Sequence, residues 1–407
     1  MSHKPFHVLY VLHSSNLVGG AFTGLFQLLE HLPRDKFHAY VVVPAKLTQE
    51  QKSILLKVVD DVAVVKMGGG WTKSNRPFMR RMLSEAVLGV RTLFHLIPQL
   101  QLYQLIKRWN IDLVYTNGVM VMDGALSAYL TGRPHLWHIK ERIGKNGNTQ
   151  FFLPDRFLIS MFDILSSQIV SMSHFIIEPF ELYGKMDKVR VIYDGLDITP
   201  FQINNSGKAL RRQLGFMDDD LVVGMVASLG AQWKQHDLFI EMASILNKQI
   251  PNVKFVHFGA IPPLASNHRP YYDRLCNIIE EYDLSTKFVF GGIVENIPQM
   301  MDTMDVLVHP CNVEPFGRVA IEAMAAGVPV VGPASGGIAE SVADEVTGLL
   351  VKPGDPKSFA EATRRLLNTP DLRHRMGEAG QAYVVEKFSV EQHILQMVEV
   401  MNGMLLK

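Results

Sequence analysis

Two cysteines, Cys276 and Cys311, in 407 residues are too few for a disulfide framework or a sulfur-rich metal site. They read as ordinary thiols of a reducing compartment. Charge of one sign is missing too: 40 Lys and Arg balance 40 Asp and Glu, so no global field recruits nucleic acid or an acidic polymer. No apolar stretch reaches the roughly 20 residues of a spanning helix. A strand-like run, Val8–Leu12, follows Met1-Ser-His-Lys-Pro-Phe6 directly, which predicts no secretory signal and a cytoplasmic location. The loop after that run lacks the Gly-x-Gly-x-x-Gly fingerprint, which argues against a nicotinamide oxidoreductase. Asp218-Asp-Asp220 has no companion His or Glu cluster, so it reads as a solvated turn and no metal is expected.

What is present is alternation. Short apolar runs stand between longer helical patterns, which predicts parallel sheet with crossover helices. The first runs are Val8–Leu12, Ala39–Val43, Val62–Val65, Leu113–Tyr115, His135–Ile139, Ile169–Val170 and Val189–Ile192. After a polar stretch, Asn204-Asn-Ser-Gly-Lys208, they resume at Val222–Val226, Lys254–Phe258, Phe288–Phe290, Val306–Val308, Val328–Val331 and Gly348–Val351. The length also exceeds one core. The expected fold is α/β, two Rossmann-like doubly wound domains, 1–198 and 199–388, facing an interdomain cleft that takes ligands beyond the C-terminal strand ends. Alternation lapses before Trp109, where Lys73, Arg76, Arg80, Arg81 and Arg91 stand among Phe78, Met79, Met82, Leu83, Val87, Leu88, Leu93 and Phe94. A basic amphipathic 73–94 stretch suits peripheral contact with an anionic membrane. It also suits a helix on the sheet with a solvated basic face.

The most informative segment runs from Asp305 to Pro333. Asp305–His309 is a short apolar run, Pro315 and Gly317 mark a tight turn, and the Ala-rich stretch Arg318–Ala326 favours helix. Gly327 sits where a left-handed helix end is expected, and Pro329 prevents continuation. The first turn, Gly317 to Ala320, offers N–H groups backed by the positive end of the helix dipole, a place for a diphosphate. Glu314 lies outside the helix and Glu322 inside it, so the two carboxylates contact different parts of one ligand or are two surface glutamates.

Glu314-Pro-Phe-Gly317 followed by Glu322-Ala-Met-Ala-Ala-Gly-Val-Pro-Val-Val resembles the Glu-x7-Glu signature of the large family 4 of retaining glycosyltransferases, which have the GT-B fold. The resemblance implies that Glu314 lies beside the transferred sugar and Glu322 holds the ribose. It puts Phe316, Gly317, Arg318, Val319 and Ala320 around the sugar hydroxyls and diphosphate. It also implies that the terminal helix, 389–407, packs back on the first domain.

Other motifs extend the likeness. Gly19 and Gly20, in His13-Ser-Ser-Asn-Leu-Val-Gly-Gly-Ala-Phe-Thr-Gly24, resemble the family's N-terminal Gly-Gly loop, with a helical run expected over Leu25–Leu32. His138 matches a family histidine that contacts the donor sugar; His135, at the start of the same strand, is the competing candidate. Ser228-Leu-Gly230-Ala-Gln-Trp-Lys234 resembles the Gly-Arg-Leu loop and its lysine, with Lys234 neutralising the leaving diphosphate. Ser228 stands where the family has Arg, and the loop is one residue longer. The backbone near Val294 would read the nucleobase, and Ser335-Gly336-Gly337 forms a close-approach turn.

The implied function is retaining, metal-independent, hexosyltransferase-like transfer from a UDP- or GDP-sugar to a glycan, lipid-linked or small-molecule hydroxyl, in polysaccharide or glycolipid biosynthesis. The nucleotide-sugar is a substrate and no cofactor is implied. The alternative is a nucleotide-sugar-binding protein that has lost transfer activity.

Overall fold

The computed structural model describes residues 4–17, 19–67, 96–144, 151, 153–202 and 207–406. The basic 73–94 stretch lies outside the described residues. Two compact units are formed, one holding the chain up to Gly195 and again from Val390, the other Leu196–Ser389.

The first unit is built on β1 (Phe6–Leu12), β2 (Phe37–Val43), β3 (Asp61–Val64), β4 (Leu113–Asn117), β5 (His135–Ile139), β6 (Gln168–Ser171) and β7 (Val189–Val191). They form one parallel sheet in the order β3-β2-β1-β4-β5-β6-β7. Val8, Leu9, Tyr10 and Val11 are wholly buried, and burial on both faces explains why these strands read as continuous apolar runs. The Val390–Leu405 helix belongs to this unit and sets Met397, Val400 and Met401 into the core that also holds Leu25, Leu28 and Leu29.

The second unit repeats the plan with β8 (Leu221–Val226), β9 (Val253–Phe258), β10 (Phe288–Gly292), β11 (Val306–Val308), β12 (Val330–Pro333) and β13 (Gly348–Val351). The order is β10-β9-β8-β11-β12-β13, again all parallel. In each sheet the order reverses once, between β1 and β4 and between β8 and β11. At such a switch point successive crossovers leave to opposite faces, and the loops beyond the two strand ends part to admit a ligand.

Two local expectations need correction. The first helix spans Gly20–His31 rather than beginning at Leu25. Gly24 lies inside it, and glycine is required there because an added Cβ would lie 2.6 Å from Asp194 Oδ2. Strand β12 begins at Val330 and not Val328, because the preceding helix, Arg318–Ala325, uses Val328 for its own ending. Gly327 is left-handed (φ 77°), its N–H donates to Met324 O at 2.9 Å and that of Val328 to Ala323 O at 2.9 Å, a glycine-based helix end that satisfies carbonyls left over by the last turn.

Candidate active site

The switch point of the second sheet gathers the expected charged residues. Strand β8 delivers Ser228 to Lys234 at its C-terminal end, and β11 delivers His309 to Gly317 at the neighbouring end. Ser228 is exposed, and its carbonyl accepts from Ala231 N at 3.0 Å. A one-turn 3-10 helix, Gln232–Lys234, then presents the lysine. Gln235 follows with φ 61°, an uncommon conformation for a side-chain-bearing residue that turns the chain sharply into the His236–Asn247 helix. The Lys234 ammonium lies 4.3 Å from the centre of the Trp233 ring and is hydrogen-bonded to Glu314 Oε2.

Glu314 is held from two sides. Besides Lys234, His309 Nε2 lies 3.0 Å from the same oxygen. Both carboxylate and ammonium are mostly buried, with side chains 12% and 16% exposed. Burial by itself would raise the Glu314 pKa, but the Lys234 charge and the His309 hydrogen bond outweigh it and bring it down to about 2. Burial holds the His309 pKa below its ordinary value despite the carboxylate beside it. A neutral ring facing an ionised carboxylate donates through Nε2–H, and Nδ1 has no hydrogen-bond partner among the described residues.

The loop carrying Glu314 is braced from behind by one main-chain and one hydroxyl hydrogen bond. Gly337 N–H donates to Glu314 O at 2.7 Å, and Ser335 Oγ donates to Asn312 O at 3.1 Å. A Cβ at Gly337 would lie 2.4 Å from Pro315 O, and one at Gly336 3.1 Å from Glu314 O. The Ser335-Gly336-Gly337 turn is thus a close approach of two backbones. Phe316 is buried against Phe388, ring centres 5.7 Å apart, so it supports the turn from inside the fold.

Gly317 caps the Arg318–Ala325 helix in the left-handed region (φ 89°), with no side-chain cap. An added Cβ there would lie 2.3 Å from Ile338 Cδ1. Of the amides expected to be open, that of Ala320 is engaged: it donates to Gly317 O at 2.8 Å and tightens the first turn. Val319 is half-buried. One turn on, Arg318 Nε donates to Glu322 Oε1 at 3.1 Å. Burial raises the Glu322 pKa, and the Arg318 charge only partly offsets this. Gly230 stands in the β8 loop, where an added Cβ would meet the His268 ring at 3.2 Å. Val294 is half-buried in the loop after β10, just before the Ile297–Met301 helix capped by Asn296.

The first unit places its expected residues differently. Gly19 (φ 105°) is the cap of the Gly20–His31 helix, and an added Cβ would meet nothing within 4 Å. His138, expected to contact a donor sugar, is 1% exposed. Its Nδ1 is hydrogen-bonded to the Tyr115 hydroxyl, and its Nε2 lies 3.9 Å from Asp194 Oδ1. Burial first, and then the Lys140 charge, hold His138 neutral, its pKa well below the usual imidazole value. Lys140 and Asp194 form a buried ion pair, Nζ to the two carboxylate oxygens at 2.8 and 2.9 Å. Burial would raise the Asp194 pKa, yet Lys140 and the neighbouring His138 and His393 hold it far below the usual carboxylate range. Lys140 and Asp194 were not singled out from the sequence; two charges separated by 54 positions carry no local signal.

Residues 207–383 match the family described as glycosyl transferases group 1. The second unit is a group 1 glycosyl transferase domain. This group 1 domain includes Ser228, Lys234, His309, Glu314 and Glu322. The chain is 35% identical over 221 residues to an uncharacterised glycosyltransferase of Methanocaldococcus jannaschii, a match spanning 53% of this chain and 54% of that protein. It thus spans about half the length of that relative. It is 23% identical over 295 residues to the N-acetyl-alpha-D-glucosaminyl L-malate synthase of Bacillus anthracis, covering 71% of this chain and 74% of the synthase. Among solved structures, Anabaena HepE in complex with UDP aligns with a TM-score of 0.80 over 98% of this chain and 100% of that one, at 24% identity. That likeness gives the fold, two parallel-sheet α/β domains of the GT-B kind. No helix among the described residues is long and apolar enough to cross a membrane.

Proposed function

We propose that the chain is a retaining glycosyltransferase that moves a sugar from a nucleotide diphosphate donor to a hydroxyl of a glycan, a lipid-linked molecule or a small molecule. The observation that carries this reading is the ionised Glu314 held by Lys234 and His309 at the sheet's switch point, within a group 1 domain. The donor is assigned to the second unit. UDP-sugars come first because the aligned Anabaena protein was crystallised with UDP and with UDP-glucose; GDP-sugars are the alternative.

In this reading Glu314 is charged at neutral pH and supports the sugar ring as it gains oxocarbenium character. Lys234 exchanges its carboxylate partner for the departing diphosphate, and the main-chain amides at the uncapped helix start near Gly317 and Val319 share that charge. Glu322 takes the ribose. Retention follows from front-face attack, with the leaving phosphate accepting the acceptor proton, so no metal or side-chain nucleophile is called on.

The test is a thermal-shift panel of UDP, GDP, ADP and their sugars, followed by mass spectrometry of donor hydrolysis. Stabilisation by one nucleotide-sugar together with release of its sugar supports the reading, and no stabilisation by any of them defeats it. Ser228, standing where the family has Arg, favours a second reading as a binding protein without transfer. Stabilisation without sugar release would select it.

A further inference from the structure

We propose that His309, Cys311 and Glu314 form a binding site for a thiophilic divalent cation, Zn2+ foremost, and that filling it shuts off the site by separating Glu314 from Lys234. The three residues offer one imidazole nitrogen, one sulfur and one carboxylate oxygen, all within 4.8 Å of one another. No other group of this kind occurs among the described residues.

Three features favour a cation. The ligands sit on one short segment whose path is already fixed by β11 and by the Gly337 contact to Glu314 O, so little chain has to be ordered. Tetrahedral Zn2+, with bonds of about 2.0–2.3 Å, needs ligand atoms roughly 3.5 Å apart, so shifts on the order of 1 Å suffice. His309 and Cys311 are wholly buried while Glu314 is partly open, so a water completing the coordination would enter from the Glu314 side. The donor set also selects the metal. Sulfur with imidazole suits Zn2+ or Co2+, whereas Mg2+ and Mn2+ prefer all-oxygen shells.

The balance of charge and protons is simple. Cys311 binds as thiolate and gives one proton to the buffer, and His309 moves its proton from Nε2 to Nδ1 as Nε2 takes the metal. Nδ1 then has no acceptor among the described residues, and a metal-bound histidine without that support loses affinity by about 10–100-fold. The site is therefore a reversible one, below the affinity of structural zinc. A dication on Glu314 repels the Lys234 ammonium from the same oxygen, and the inhibitory half of the proposal rests on the transferase reading.

The test uses the full chain titrated with Co2+ and with Zn2+, following thiolate-to-cobalt absorption and, by calorimetry in buffers of different ionisation enthalpy, proton release. One ion per chain, one proton released, and a band lost in Cys311→Ser but kept in Cys276→Ser are expected. No band, or a band lost with Cys276→Ser instead, overturns the site. Should Cys311→Ser fail to fold, Cys311→Ala and His309→Ala make the same measurement. Zn2+ at about ten times its Kd leaves about a tenth of the sites empty, so donor hydrolysis should fall about tenfold in the native chain, be unchanged in Cys311→Ser, and ignore Mg2+. Spectroscopic binding with undiminished hydrolysis overturns the inhibition. If no donor is hydrolysed at all, the transferase reading fails, and the cobalt band still decides the site.

Discussion

Replacing Lys234 by Ala tests the electrostatics of the site without reference to any substrate. The lysine leaves Glu314, its side chain 12% exposed, with His309 as its remaining partner. In the native chain Lys234 and His309 together bring Glu314 from the ordinary 4.5 to about 2 against the cost of its burial, a net of about 3 kcal/mol of stability at 1.36 kcal/mol per unit. The figure agrees with the roughly 3–5 kcal/mol lost on breaking one side of a buried ion pair. Because the folded pKa is the lower one, the stabilisation is fully present above pH 4.5 and is lost as pH falls through about 2. Lys234→Ala should therefore be about 3 kcal/mol less stable at neutral pH, and the gap should narrow as pH is lowered through that window. Hydrogen exchange resolved on β8 and β11 peptides reads the second unit by itself. A loss below about 1 kcal/mol at neutral pH, the value of an exposed pair, or a gap indifferent to acid, would refute the argument.

Three further outcomes are expected. Glu314→Gln keeps the size of the side chain and removes its charge, so donor turnover should fall by about a hundredfold or more; steady-state assay of the identified donor checks it, and near-native turnover sinks the role. Gly337→Ala puts a methyl group 2.4 Å from Pro315 O, an overpacking that should cost about 1–3 kcal/mol and lower turnover with it. Urea unfolding combined with turnover measures both. Asp194→Ala strands the Lys140 ammonium, 2% exposed, and should cost the first unit about 3–5 kcal/mol, much of it recovered in the double variant with Lys140→Met. Exchange of β5 amides reports the loss and its recovery.

What could be read from the sequence was what nearby residues determine. Strand β5, His135–Ile139, was expected with those bounds, and the helix after Gly317 ends at its glycine because Gly327 and Pro329 act on their own neighbours. Gly24 looks like a loop glycine for the same reason: it is a glycine within the helix because Asp194, 170 positions away in the chain, needs the room. Glu314 was visible as a motif, but its partnership with Lys234 spans 80 positions and exists only once β8 and β11 pair. His309 stands as the last residue of an apolar run, and an imidazole in a buried strand end looks like any other core residue until the loop folds back to it. His138 does end an apolar strand, but its enclosure by Tyr115 and the Lys140–Asp194 pair is set by residues distant in the chain and leaves no local signal.

The grip of the Ser335-Gly336-Gly337 turn on the Glu314 loop has an evolutionary corollary. Since that support is main chain apart from the Ser335 hydroxyl, few side-chain replacements could retune it, and most would simply break it. Variation among descendants of this chain should therefore accumulate on the opposite rim, at the exposed Ser228, Gln232 and Trp233, whose side chains can change without disturbing the core. A designer seeking a different donor preference would randomise that rim and leave the glycines alone.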